Sequence, residues 1–212
     1  MEAEDGNPAP IASSRGVWKV AGLAGLGGML VGYWAPWRDG HSAGLTFSGF
    51  DLVPFLVFFQ RAGYGPLLRE RMWIPLWGLA LALALLALAE PGKSLRHGRS
   101  LLWILAGLWP LATWPPYPDL LNPLSIEGRG GFLGGMLTML LVGSLPLWPP
   151  SWRRRLALAL PWAMLGGVGP ELVQVWSLWA RHLGLAPAIG WGLPLYGLGL
   201  ALWEAAWWRT SS

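Results

Sequence analysis

Leu79-Ala80-Leu81-Ala82-Leu83-Ala84-Leu85-Leu86-Ala87-Leu88 carries no polar side chain at all. A membrane barrel strand alternates apolar and polar residues over about ten positions. This run is apolar on both alternating faces, and Leu and Ala are strong helix formers, so it predicts a helix. Followed outward, the stretch stays free of Asp, Glu, Lys and Arg from Met72 to Ala89. That reaches the roughly 17 residues a transmembrane helix needs.

The same pattern recurs along the chain. Val20 to Trp37, Ser100 to Pro118, Gly130 to Trp152 and His182 to Trp203 are also free of those four residue types, and Leu156 to Ala180 is broken only by Glu171. An unpaired charge at mid-bilayer costs roughly 2.5–3.5 kcal/mol on the insertion scale, so charge-free stretches of this length mark spans. Lipid offers backbone amides no partner, which makes helix the default for each. The sequence therefore predicts an all-α polytopic bundle: a disordered tail over 1–16, then one transmembrane domain over 17–209 with six spans near 18–36, 72–89, 100–117, 130–148, 156–180 and 184–208.

Composition agrees. Of 212 residues, 54% are hydrophobic and 12% charged, about half the charged share of a soluble domain, and the mean hydropathy is +0.43. The absence of Cys excludes disulfides, thiolate metal sites, iron–sulfur ligation and cysteine nucleophiles. A net charge of +4 comes from basic residues lying between apolar runs rather than in one stripe, so no nucleic-acid partner is expected.

Lys and Arg placement sets the expected orientation. With the N-terminus inside, Arg15, Lys19, Lys93, Arg96, Arg99, Arg153, Arg154, Arg155 and Arg209 fall on the cytoplasmic side, and Arg38, Arg61, Arg69, Arg71, Arg129 and Arg181 fall outside. Both termini are then cytoplasmic, in a cell (inner) membrane. Arg69 and Arg71, directly before the second span, run against the rule. In the long connection from Arg38 to Arg71, a Phe-rich segment over 48–60 is too short to cross. With Ser48 or Asp51 as N-cap and Pro54 in its first turn, it suits a short interfacial helix; a re-entrant half-helix led by Asp51 is the alternative.

Glu171 is a carboxylate inside a predicted span. It shares a helix face with Gln174, Arg181 follows two turns on, and Pro170 with Gly166, Gly167 and Gly169 weakens the helix before it. An ionisable residue there is a functional candidate; the structural alternative is a carboxylate near the outer headgroups paired with Arg129 or Arg181. Glu204, near the inner end of the last helix, reads as interfacial. His41, His97 and His182 each lack a second ligand at i+3 or i+4, so no metal site is expected. One imidazole suffices for axial ligation of haem or chlorin, but nothing in the pattern supports either, and lipid is the expected non-protein component. Gly28 with Gly32, Gly130 with Gly134, and Gly131 with Gly135 stand four apart, the spacing at which helix backbones approach closely in lipid. Phosphate-loop, dinucleotide, zincin and nucleophile-elbow motifs are absent.

In the last third, Arg153-Arg154-Arg155, Glu171-x-x-Gln174, Arg181 and a final helix running from Gly190-Trp191-Gly192 to Gly197-x-Gly199 resemble VanZ-type membrane proteins. The family's Asp and Asn between the arginine and the closing glycines are missing, with Trp191 and Tyr196 in that region instead. The resemblance implies no established reaction.

These features lead to an expected non-catalytic integral subunit of a larger membrane assembly, respiratory or photosynthetic, with lipids and other membrane subunits as partners. A small transporter or channel along Glu171, Gln174 and Asp51 is the first alternative. The second is an outer-face enzyme using Glu171 as acid or base, with Arg129, Arg181 and Arg61 gripping an anionic group.

Overall fold

The computed structural model describes residues 14–38, 47–52, 69–89, 96–114, 129–182 and 188–209. Among them, nearly everything is helical: α1 (Ser14–Trp34), α2 (Ile74–Ala89), α3 (Arg96–Leu108), α4 (Arg129–Ser144), α5 (Pro150–His182) and α6 (Gly192–Arg209). Single 3-10 turns over Arg69–Trp73, Trp109–Thr113 and Leu145–Leu147 lead into α2 and extend α3 and α4. Two short antiparallel strands, β1 (Pro36–Arg38) and β2 (Phe47–Ser48), pair Pro36 with Ser48 and Arg38 with Phe47 around a bulge.

Three segments, Arg71–Ala89, Gly130–Leu147 and Pro150–Ser177, are long and apolar enough to cross a bilayer. At 21 and 18 residues, α1 and α6 are of similar length, but Gly and Trp take many of the places that Leu and Ala fill in α2.

The segment that announces the fold is also its centre. Every residue of α2 from Gly78 to Ala87 is buried, and α1, α3, α4 and α5 all pack on it. A helix that is apolar all round has no face to show water and belongs inside. The helices around it turn large apolar side chains outward: Val20, Leu23 and Val31 on α1, Leu101, Ile104 and Leu108 on α3, Leu137 and Leu140 on α4, Leu165 and Val173 on α5, and Leu198 on α6 are all exposed.

The most extensive helix contact joins α1 and α6, which run antiparallel. A Cβ placed on Gly25 would lie 2.7 Å from the backbone nitrogen of Trp203, one on Gly28 would lie 3.2 Å from Cα of Gly199, and one on Gly32 would collide with the backbone of Tyr196. The glycines thus let two backbones touch, and the gain is van der Waals contact. Where α1 ends, its last carbonyls are satisfied from outside the helix. The Trp37 indole donates to the Gly32 carbonyl at 2.8 Å, and the Gly49 N–H donates to the Tyr33 carbonyl at 3.0 Å.

Several boundaries differ from the sequence reading. Ser14, Arg15 and Gly16, placed in the tail, already belong to α1; the rest of that tail lies outside the described residues. The last helix starts at Gly192 rather than near 184; residues 188–190 before it are not helical, and Gly190 N–H donates to the Trp37 carbonyl at 2.8 Å. The fifth helix begins at Pro150 and runs 33 residues, with Pro161 and Pro170 inside it. Of the segment 48–60, residues 53–60 lie outside the described residues.

Candidate functional site

Glu171 sits in the later part of α5 and is 1% exposed. Arg71, in the 3-10 turn that opens α2, pairs with it: a guanidinium nitrogen lies 3.6 Å from Oε1, with the arginine side chain 48% exposed. Gly167, one turn earlier on α5, allows this approach, since a Cβ there would strike the Ile74 side chain. Val168, Leu172 and Val175 fill the rest of that face of α5 and are buried. A carboxylate in such surroundings keeps its charge only beside a cation.

The pairing corrects one expectation. Arg181 does not reach Glu171; its Nε and Nη2 donate to the Ser177 carbonyl at 3.2 Å and the Ser177 hydroxyl at 3.0 Å, one turn back on its own helix. Arg129 opens α4, and its side chain lies outside the described residues. Arg71 counts against the charge rule when read from sequence, and that inconsistency marked it as a cation in want of a counter-charge without saying which carboxylate supplies it. A basic residue on the wrong side of a span is explained when a neighbouring helix supplies the counter-charge.

Gln174 does not join Glu171. It is exposed, and its backbone carbonyl accepts the Ser177 hydroxyl at 2.8 Å. Residues three apart are offset by about 60° around a helix, enough here to carry Gln174 past the buried edge. Asp51 is held elsewhere, in a reciprocal cap: its Oδ2 accepts the Ser48 N–H at 3.0 Å and the Ser48 hydroxyl at 2.7 Å, and its own N–H donates to Ser48 Oγ at 3.2 Å. The chain turns over Gly49, and Phe50 stacks on Trp34 with ring centroids 4.8 Å apart.

Glycines of α4 receive side chains from its neighbours. A Cβ on Gly134 would overlap the Trp77 ring, one on Gly131 would overlap the Thr113 carbonyl, and one on Gly135 would lie 2.8 Å from Thr113 Oγ1. Gly130 is half-buried. Thr113, not singled out from sequence, ties this corner together: its hydroxyl lies 2.8 Å from the Pro110 carbonyl and 2.9 Å from that of Gly131, and it accepts the Trp77 indole at 3.4 Å. Glu204 accepts the Trp162 indole at 3.0 Å, which links α6 to α5.

An apolar crevice of about 260 Å³ lies between α4 and α5 with α2 as its floor; Trp77, Leu137, Leu141, Leu156, Ala159 and Ala163 are among its walls. Neither Glu171, Gln174 nor Asp51 lines it. Among the described residues, no group of three or more His, Asp or Glu side chains could hold a metal ion.

What these features define is a helical protein with three bilayer-length apolar helices, a buried central helix and an ion pair whose carboxylate is sealed from solvent. No family model matches the chain, and neither does any curated protein or solved structure.

Proposed function

We propose that the chain is a six-span integral membrane protein acting as a non-catalytic subunit of a larger membrane assembly, in an inner membrane with both termini cytoplasmic. The observation that carries the membrane part is the inversion of the usual pattern. The most apolar helix is sealed inside, and yet the helices around it still expose Leu, Val and Ile outward. Soluble monomers rarely show contiguous apolar patches above a few hundred Å²; hydrocarbon accepts them.

The subunit reading is supported by how the polar groups are used. Glu171 is engaged by Arg71, Asp51 by Ser48, and Glu204 by Trp162, so the carboxylates singled out from sequence serve helix and turn contacts. The crevice between α4 and α5 offers a partner helix a seat of small and apolar residues.

Purification in a gentle detergent tests this. A subunit co-migrates with defined membrane partners at fixed stoichiometry, whereas recovery of the chain alone from its native membrane rejects the subunit reading. Release from membranes by carbonate without detergent rejects the membrane reading as well.

A further inference from the structure

At the end of the bundle where α5 begins, a cavity of about 170 Å³ is bounded by Leu85, Leu88 and Ala89 of α2, Pro150 and Arg153 of α5, and Trp207 of α6. Among the described residues Arg153 is the only charged one in its wall, and its Nε is buried with no hydrogen-bond partner. A buried donor left unmet is costly, and more so on a charged group. It is not met by the start of its own helix, because the Pro149 carbonyl takes the backbone N–H groups of Trp152 and Arg153 at 3.0 and 3.2 Å.

We infer that this cavity binds the phosphate of an anionic phospholipid, with Arg153 as its principal donor. The inference rests on the membrane reading above. A planar guanidinium matches a phosphate geometrically. The other walls, leucines, alanine, proline and tryptophan, suit a phosphate that arrives attached to an acyl chain rather than one free in water. Arg154 and Arg155, both exposed, follow directly in the chain and add to the attractive field. Trp152 and Trp208 are exposed at the same end, where tryptophans sit at the headgroup level.

The test is lipid titration of the detergent-purified full chain, read by native mass spectrometry. Phosphatidylglycerol is compared with phosphatidylcholine of the same acyl chains, and inorganic phosphate and glycerol phosphate serve as competitors. Phosphatidylglycerol is expected to bind at least about tenfold more tightly, the scale of one charge-assisted hydrogen bond. Arg153→Gln should abolish that preference, Arg153→Lys should keep part of it, and the paired Arg154→Gln/Arg155→Gln variant should keep most of it. Should Arg153→Gln fail to fold, a reduced preference in Arg153→Lys supports the site in its place, and a full preference there overturns it. An undiminished preference in Arg153→Gln overturns the site, as does a loss in the Arg154/Arg155 variant as large as that in Arg153→Gln. Competition by inorganic phosphate as effective as by lipid overturns the lipid as ligand. A chain that stays monodisperse without detergent fails the membrane reading instead, a result visible before any lipid is added.

Discussion

The indole nitrogen of Trp203 on α6 donates to the carbonyl of Ala157 on α5 at 3.1 Å, and both residues are fully buried. Ala157 stands four residues before Pro161, so its carbonyl is the one that the proline, having no N–H, leaves without a helical donor. A tryptophan from the neighbouring helix fills the vacancy. Such a donor lets a proline stand in a helix long and apolar enough to cross lipid, where water could not help.

Trp203→Phe should therefore destabilise the protein by about 1–3 kcal/mol, the cost of an unmet buried carbonyl. In a Pro161→Ala background, where a helical N–H returns, the same change should cost clearly less. Thermal unfolding of the four variants in one detergent measures the coupling; equal costs in both backgrounds would separate the two residues.

Breaking the Arg71–Glu171 pair should be asymmetric. Arg71→Gln takes a cation away from a carboxylate that is 1% exposed and should cost about 1–3 kcal/mol, below the range of fully buried pairs because the arginine is half in solvent. Glu171→Gln removes the buried charge, and its partner can turn outward, so the loss should be smaller. The Arg71→Gln/Glu171→Gln double variant should recover much of the arginine deletion. The readout is the same unfolding cycle.

Glycines within α1 and within α6 should respond oppositely. Alanine at Gly25, Gly32 or Gly199 forces atoms into the α1–α6 contact and should cost about 1–3 kcal/mol. At Gly27 or Gly197 a Cβ meets nothing within 4 Å, and alanine there should stabilise by up to about 1 kcal/mol through higher helix propensity. Uniform effects across the five positions would refute the contact.

A chain without cysteine allows orientation to be mapped by single introduced thiols. Ile189→Cys, near the start of α6, should react with a membrane-impermeant maleimide in intact cells, and Gly98→Cys only after permeabilisation. Leu140→Cys, exposed on α4, should stay unreactive in the membrane and react once the protein is denatured. Exchange of the first two results would reverse the orientation, and prompt labelling of Leu140→Cys would put water where lipid is proposed.

Helical class was legible because it follows from one-dimensional facts. An alanine–leucine run such as 79–88 has neither a polar face nor a second periodicity, so only a helix suits it, and its uniformity also explains why it lies at the centre. The spacing of Gly28 and Gly32 likewise showed that some backbone must come close. It could not show which one, because small residues describe a gap and not its occupant. Arg71 as the partner of Glu171 was out of reach for the same reason: a hundred residues separate them in the chain, whereas Arg181 lay nearer along it and faced away. Local order and apolar periodicity are properties of neighbouring residues, which is why the sequence by itself determined an apolar helical protein. Pairing of charges, filling of glycine grooves and satisfaction of the carbonyl freed by Pro161 depend on which helices meet, and only the tertiary structure decided them.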